Sequence, residues 1–272
     1  GDHRDLHLSI RRQRQMCIRD SLYTPGEVTS GASHVRDGLD LKRMMVTVVL
    51  SLLGCVFMAM YNTGYQANLA ISQGALPLAN WQSNVFQEFG WTFTPDSVSA
   101  CIAHGALYYL PVLLVTFAVG GAWEVLFAIV RRHEVNEGFL VTGMLFPLVL
   151  PATIPLWQVA LGISFGVVIG KEIFGGTGMN ILTPALTARA FVFFAYPAEM
   201  SGNSVWIAAS TGSDGVSGAT WLAESAETGA VAFTQGVTFW DAFMGVIPGS
   251  MGETSALACL LGAIVLIVTL IG

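Results

Sequence analysis

The sequence predicts an all-α, polytopic membrane protein, a multi-helix bundle of about six crossings with several short helices broken by Pro and Gly. Three observations predict it. Hydrophobic residues make up 53% of the 272 residues, charged residues only 11%, and the mean hydropathy is +0.62. A soluble domain carries about a quarter charged residues, so these few charges cannot cover a water-facing surface of this size. The apolar residues are also gathered into runs long enough to enter a bilayer. Finally, all twelve Lys and Arg lie in residues 4–43, at Arg131 and Arg132, at Lys171 and at Arg189. Basic residues near segment ends mark the cytoplasmic side. The N-terminus, the 131–138 loop and the 171–183 loop are therefore expected inside, and residues 62–100 and 198–240 outside. The formal charge of −6 includes no basic face for nucleic acid.

Residues 1–43 read as a cytoplasmic tail ahead of a membrane domain, 44–272. Within that tail, Arg11 to Asp20 is basic and lacks the apolar stretch of a signal peptide. Residues 1–20 are therefore a plain tail or sequence foreign to the protein. The first crossing is expected over Met44 to Tyr61, about 27 Å of helix. Residues 62–100, with Asn, Gln, Gly and Pro among Trp81, Phe86, Phe89 and Trp91, read as an outside loop with interfacial rings. The second crossing covers His104 to Val130 and stops at Arg131-Arg132. A short third, Phe139 to Leu150, meets Pro147, Pro151 and Pro155. A fourth runs from Pro155 to Gly170 and a short fifth from Pro184 to Tyr196. Interrupted segments free backbone polar groups that must face protein, ligand or water, which marks 139–196 as the ligand-holding core. A sixth crossing, Thr254 to Ile271, ends where the sequence ends, and the chain reads as the N-terminal part of a longer protein whose C-terminal half is missing.

Four stretches carry candidate chemistry. Ser217-Gly218-Ala219-Thr220 lies in a polar segment, Ser201 to Asp241, without Lys, Arg or His. Its small residues leave room for a bulky group on a hydroxyl, though the same residues fill ordinary solvated turns. Residues 171–184 hold Gly175, Gly176 and Gly178 ahead of Asn180 and Thr183. The glycines let backbone approach a flat ligand closely, and Asn180 with Thr183 suits the edge of an uncharged heterocycle. A tight turn between two helices is the alternative. Gly120 and Gly121 precede Glu124 in the second run, and paired glycines open a groove or let helices pack closely. Glu124 lies about 10 Å in from the basic end, where a carboxylate costs ~2.5 kcal/mol or more and is a functional candidate by default. Its bland alternative is a side chain reaching the surface, paired with Arg131 at i+7. Lastly, His133, Glu134 and Glu137 form a charged loop, a solvated turn unless His133 hands protons to a reduced acceptor.

Cysteine and histidine argue for nothing further. Cys17, Cys55, Cys101 and Cys259 show no CxxC spacing, and Cys55 and Cys259 read as packing residues. No HxxxH pair falls within the membrane runs, so neither haem nor zinc is expected.

The run GKEIFGGTGMNILTPALTARAFVFFAYPAEMSG, followed by SGAT, resembles the B-type membrane subunits of the sodium-translocating NADH:quinone oxidoreductases of bacteria. So do YTPGEVT, SHVRDGLDLKRMM, GGAWEVLF, RRHEVNEGF and IPGSMGETSALACLLGA, in this order from about Leu22 to the end. The resemblance implies a multi-pass subunit of the bacterial inner membrane with a fold similar to urea transporters, working with the other subunits of a six-subunit complex. Those subunits would supply the NADH site, FAD and iron–sulfur centres. The resemblance also implies that Thr220, beside Ser217, Gly218 and Ala219, carries FMN by a phosphoester bond. A non-covalent riboflavin is implied at the loop of Gly175, Gly176, Gly178, Asn180 and Thr183. There the chain departs from the family, which has a second Asn where Thr183 stands. Gly120 and Gly121, with Glu137 at the border, match quinone-site positions for ubiquinone, and Glu124 matches an acid tied to sodium uptake. Asp214, Glu224 and Glu227 receive no role. Two other readings remain open. The paralogous D-type membrane subunits of Rnf ferredoxin:NAD complexes share the FGG…N…P and SGAT elements but are less similar before the first helix. A non-redox small-solute channel shares the broken-helix architecture but has no use for a flavin-bearing threonine.

Overall fold

The computed structural model describes residues 41–132, 138–202, 205–210, 219–228 and 238–269. The tail expected at 1–40 lies outside them. The membrane helices are α1 (Leu41–Ser72), α3 (Val98–Arg131), α4 (Gly138–Leu148), α5 (Leu156–Val168), α6 (Pro184–Ala195) and α10 (Ala256–Val268). Between them lie the short helices α2 (Trp81–Glu88), α7 (Pro197–Met200), α8 (Trp221–Thr228) and α9 (Phe239–Met244), and two-residue strands β1 (Leu76–Pro77) and β2 (Ala209–Ser210). Among the described residues, three stretches are long and apolar enough to cross a membrane: Arg43–Ser72, Val98–Arg131 and Leu156–Phe174. The chain is thus a helical membrane protein that combines these three long apolar stretches with the shorter apolar helices α4, α6 and α10.

The first helix corrects the sequence expectation. It runs through residues 62–72, expected as loop, because their polar side chains turn inward. Asn62, Thr63, Gln66 and Asn68 are all buried. The Asn62 amide donates to the Ile247 carbonyl at 2.8 Å, Gln66 donates to Asn62 at 3.3 Å, and Asn68 Oδ1 meets His104 Nδ1 at 2.9 Å. A polar face satisfied within the bundle is as compatible with a membrane helix as an apolar one. Phe86 is likewise no interfacial ring. It is buried, 4.7 Å from the His104 ring and 5.0 Å from Phe93.

Glycine sets how closely the helices approach. A Cβ at Gly64 would overlap the Cys101 carbonyl, and one at Gly105 the Met60 carbonyl, so α1 and α3 cross antiparallel with backbones in contact. Gly162, Gly166 and Gly170 stand at successive i+4 positions and receive Val192, Ala188 and Thr187 of α6. The chain returns to α1 through α10, where Gly262 meets the Ser51 carbonyl and the sulfurs of Cys55 and Cys259 lie 3.9 Å apart. Gly64→Ala is expected to cost about 1–3 kcal/mol through overpacking. At Gly54 a Cβ would lie an ordinary 3.8 Å from the Ala258 carbonyl, so Gly54→Ala is expected to be close to neutral. Thermal midpoints of the two variants in detergent check the contrast.

At the centre two non-helical stretches meet. Helix α4 is about 16 Å long, half a bilayer, and Pro151 and Pro155 prevent its continuation. The chain before α10 then approaches its end. The N–H of Gly252 donates to the Leu148 carbonyl at 2.8 Å and that of Met251 to the Leu150 carbonyl at 3.0 Å. Freed backbone groups at membrane depth are thereby satisfied by each other and by Asn62, as exclusion from lipid requires. Leu150, Phe146, Ile163 and Met251 close the core around this junction.

Each end of the bundle gathers the segments that charge placed on one side. At one end β1 pairs antiparallel with β2, Leu76 opposite Ser210 and Pro77 opposite Ala209, and the Thr153 hydroxyl donates to the Val205 carbonyl at 2.9 Å. At the other, Arg131 reaches Glu172, and Gly138 at the start of α4 sits against Thr177.

Candidate functional site

The basic end is built around four charges. Glu124 lies on the inward face of α3, and Lys171 and Glu172 follow α5 where the chain turns back. All three are buried, at 2%, 4% and 1% exposure. The Lys171 ammonium is 2.5 Å from Glu124 Oε1 and 3.7 Å from Glu172 Oε1. Arg131 Nη1 donates to Glu172 Oε2 at 3.1 Å, and its Nη2 donates to the Glu172 backbone carbonyl. The guanidinium also lies over the Phe127 ring, 5.2 Å from its centre. The i+7 pairing of Glu124 with Arg131 is therefore replaced by two ion pairs that cross between elements. Two helical turns separate residues 124 and 131 by about 10 Å, whereas the return of the chain at Lys171 brings an ammonium directly to the carboxylate. Among the described residues the four formal charges sum to zero, and paired charges are the form in which buried ions are tolerated.

Gly120 lies one turn from Glu124. The space its side chain would fill is taken by the Phe139 ring and Ile163, so this glycine admits a close packing partner. Gly121 differs, since its nearest such neighbour, Phe139 Cε1, is 3.8 Å away. The Trp123 indole donates to the Ser164 hydroxyl at 2.9 Å and fixes α3 against α5 at this level. Glu137, His133 and Glu134 lie outside the described residues.

The glycine loop starts from the charged centre. The Lys171 carbonyl accepts from the N–H groups of Phe174 and Gly176, each at 3.2 Å. Gly175, Gly176 and Gly178 adopt φ of 121°, 100° and 88°, conformations that favour glycine. Asn180 braces the turn: its Oδ1 accepts from the Gly178 N–H at 3.3 Å and its amide donates to the Leu182 carbonyl at 2.9 Å. Each bond uses one of two acceptor or donor positions, so the amide retains capacity for a ligand. Thr183 is exposed and its side chain makes no capping bond to α6. Ile173, Phe174, Met179, Ile181 and Leu182 around the turn are exposed apolar residues.

Thr220 directly precedes α8. Its hydroxyl oxygen accepts from the Ala223 N–H at 3.3 Å, the bond of an N-cap. The side chain is half-buried, and Ala219 before it is buried. Ser217 and Gly218 lie outside the described residues, as does Asp214.

Sequence reasoning passed over two further polar groups. His104 is buried, bonded through Nδ1 to Asn68, and packed by Phe86, Phe93 and Tyr108, while its Nε2 has no hydrogen-bond partner among the described residues. Arg189 on α6 lies 3.8 Å from Glu253, which also accepts from Ser250 at 2.8 Å. Lys171 and Glu172 were legible only as scarce charges beside an apolar run. Their partners lie on another helix, 41 to 47 residues away.

Comparison with known proteins assigns the chain its relatives. A profile described as the NQR2, RnfD, RnfE family matches residues 28–272. A protein of Chromohalobacter salexigens, named as the B-type subunit of Na(+)-translocating NADH-quinone reductase, is 59% identical over 247 residues, a span of 91% of this chain and 59% of that protein. Proteins of the same name from Ectopseudomonas mendocina and Stutzerimonas stutzeri are 57% and 58% identical over 250 residues each, covering 91% and 90% of this chain and 61% of either relative. The chain spans about three fifths of the length of these curated relatives.

Proposed function

The chain belongs to the NQR2, RnfD, RnfE family, and from that premise we propose that it is the membrane electron-transfer part of a sodium-translocating NADH:quinone reductase. Electrons pass from a flavin fixed on Thr220, by way of a riboflavin at residues 175–183, to ubiquinone beside Gly120 and Gly121. Glu124 belongs to the path of the exported sodium ion. The basic end of the bundle, with the N-terminus, faces the cytoplasm across the bacterial inner membrane. Other subunits of the complex bind NADH.

The observation that carries this reading is the setting of Thr220. Its hydroxyl stands at the first turn of α8, where free N–H groups and the helix dipole favour a phosphate. Residues 198–240 hold no Lys, Arg or His to retain a free nucleotide, so a covalent bond takes over that task. Ala219 puts no bulk beside the hydroxyl. At the basic end, three left-handed glycines let the backbone approach a flat ring, and Asn180 and Thr183 supply polar atoms at its edge. Gly121 leaves room on α3 beside Phe139. When bound, the flavins supply the electron chemistry, while these residues hold, orient and space them.

Activity of the complex containing this chain tests the reading. NADH-driven ubiquinone reduction stimulated by sodium is expected. Ferredoxin-dependent NAD reduction without quinone reduction would assign the chain to the paralogous Rnf function instead. A purified protein with no bound flavin and no redox activity in the complex would point to the channel reading.

A further inference from the structure

We infer that Lys171 is a tethered cation that occupies the Glu124 carboxylate and must be displaced before that carboxylate takes a sodium ion. This rests on the proposed role of Glu124 in the sodium path and adds what controls the site. The Lys171 ammonium lies 2.5 Å from Glu124, where an incoming cation would bind, and both side chains are buried. A sodium ion on the same carboxylate would lie within a few ångströms of the ammonium, and two like charges that close in a buried site repel strongly. Adding Na⁺ to the described charges, which already sum to zero, would also leave an excess of positive charge among them, which is costly away from water.

The same geometry provides the exit. Glu172 Oε1 is 3.7 Å from the ammonium. Rotation of the flexible lysine stem moves the charge from one carboxylate to the other without leaving the pocket. A compact ammonium on a four-carbon stem suits this exchange, whereas a guanidinium fork does not. The backbone of Lys171 also starts the glycine turn, accepting from Phe174 and Gly176. A shift of the turn that holds Asn180 therefore moves the root of the side chain that blocks Glu124. Occupancy at the loop and sodium access at Glu124 are coupled through one residue.

The test uses the assembled complex, with ²²Na⁺ binding and the sodium dependence of quinone reduction as readouts. Lys171→Met is expected to lower the half-saturating sodium concentration by about tenfold or more, the scale on which a close buried charge pair is coupled. Lys171→Arg is expected to raise it, because the fork holds Glu124 and leaves less readily. Should Lys171→Met not assemble, the charge-balanced double variant Lys171→Met/Glu172→Gln is expected to show a smaller decrease, because it removes the occupant of Glu124 but keeps the sum of the charges at zero. Half-saturation unchanged in the arginine variant and in either methionine variant would overturn the inference. Glu124→Gln separates the two layers. If it weakens sodium binding while the Lys171 variants leave it unchanged, only the tethered-cation inference falls. If it leaves sodium binding unchanged, the reading of Glu124 falls and takes the inference with it.

Discussion

Thr220→Ala is expected to abolish the flavin fluorescence of the denatured protein while leaving membrane insertion intact. The first half follows from chemistry. A flavin that survives denaturation is held covalently, and alanine offers no hydroxyl to esterify. The second half follows from the place of Thr220 in the fold. The alanine variant also loses the N-cap bond to Ala223, which costs about 0.5–2 kcal/mol. That cost falls on α8, an eight-residue helix whose Leu222 is 80% exposed and none of whose described side chains belongs to the core around Leu150 and Ile163. Thr220→Ser retains both the hydroxyl and the cap, so it is expected to insert and to keep the helix start. In-gel fluorescence of protein made in cells with a working flavin-attaching enzyme reads the outcome. A fluorescent alanine variant would move the attachment elsewhere.

Glu172→Ala is expected to destabilise the membrane domain by about 3–5 kcal/mol, the cost of removing one partner from a buried ion pair. Glu172 is 1% exposed and serves two cations at once. Without it Arg131 loses a carboxylate contact, and Lys171 is left with Glu124 as its near anion. The loss also removes one of the ties between the glycine turn and the end of α3, leaving the Arg131 bond to the residue 172 carbonyl and the Lys171–Glu124 pair. Arg131→Ala is expected to cost less, because Arg131 is 33% exposed and water reaches it. Thermal midpoints in detergent order the two variants, and a Glu172→Ala variant as stable as the unmodified protein would contradict the account of this centre.

What the sequence made legible follows from periodicity and charge. The apolar runs located α4, α5, α6 and α10 to within a few residues, because a bilayer requires such runs and Pro and Gly end them, whereas α3 starts at Val98, six residues before the expected His104 and within the stretch expected as loop. The pairing of β1 with β2 agrees with the placement of residues 62–100 and 198–240 on one side, and the meeting of Arg131 with Glu172 agrees with the other. Polar residues that turn inward were not legible. Asn62, Gln66 and Asn68 read as loop, since composition does not reveal that Ile247 and His104 accept and share their hydrogen bonds. The partner of Glu124 was hidden for a related reason. Helical spacing offers Arg131, whereas Lys171 becomes a neighbour only once α5 packs on α3 through residues such as Trp123 and Ser164. Gly120 and Gly121 look equivalent in sequence, and the fold gives one to Phe139 and leaves the other open.

The mass of the peptide that spans Thr220 tests the central claim most directly. Taken from protein produced where flavin attachment operates, it is expected to exceed its amino-acid mass by that of FMN less one water, with fragmentation placing the addition on Thr220. A peptide of bare amino-acid mass would contradict the claim that this threonine tethers a flavin to the membrane domain.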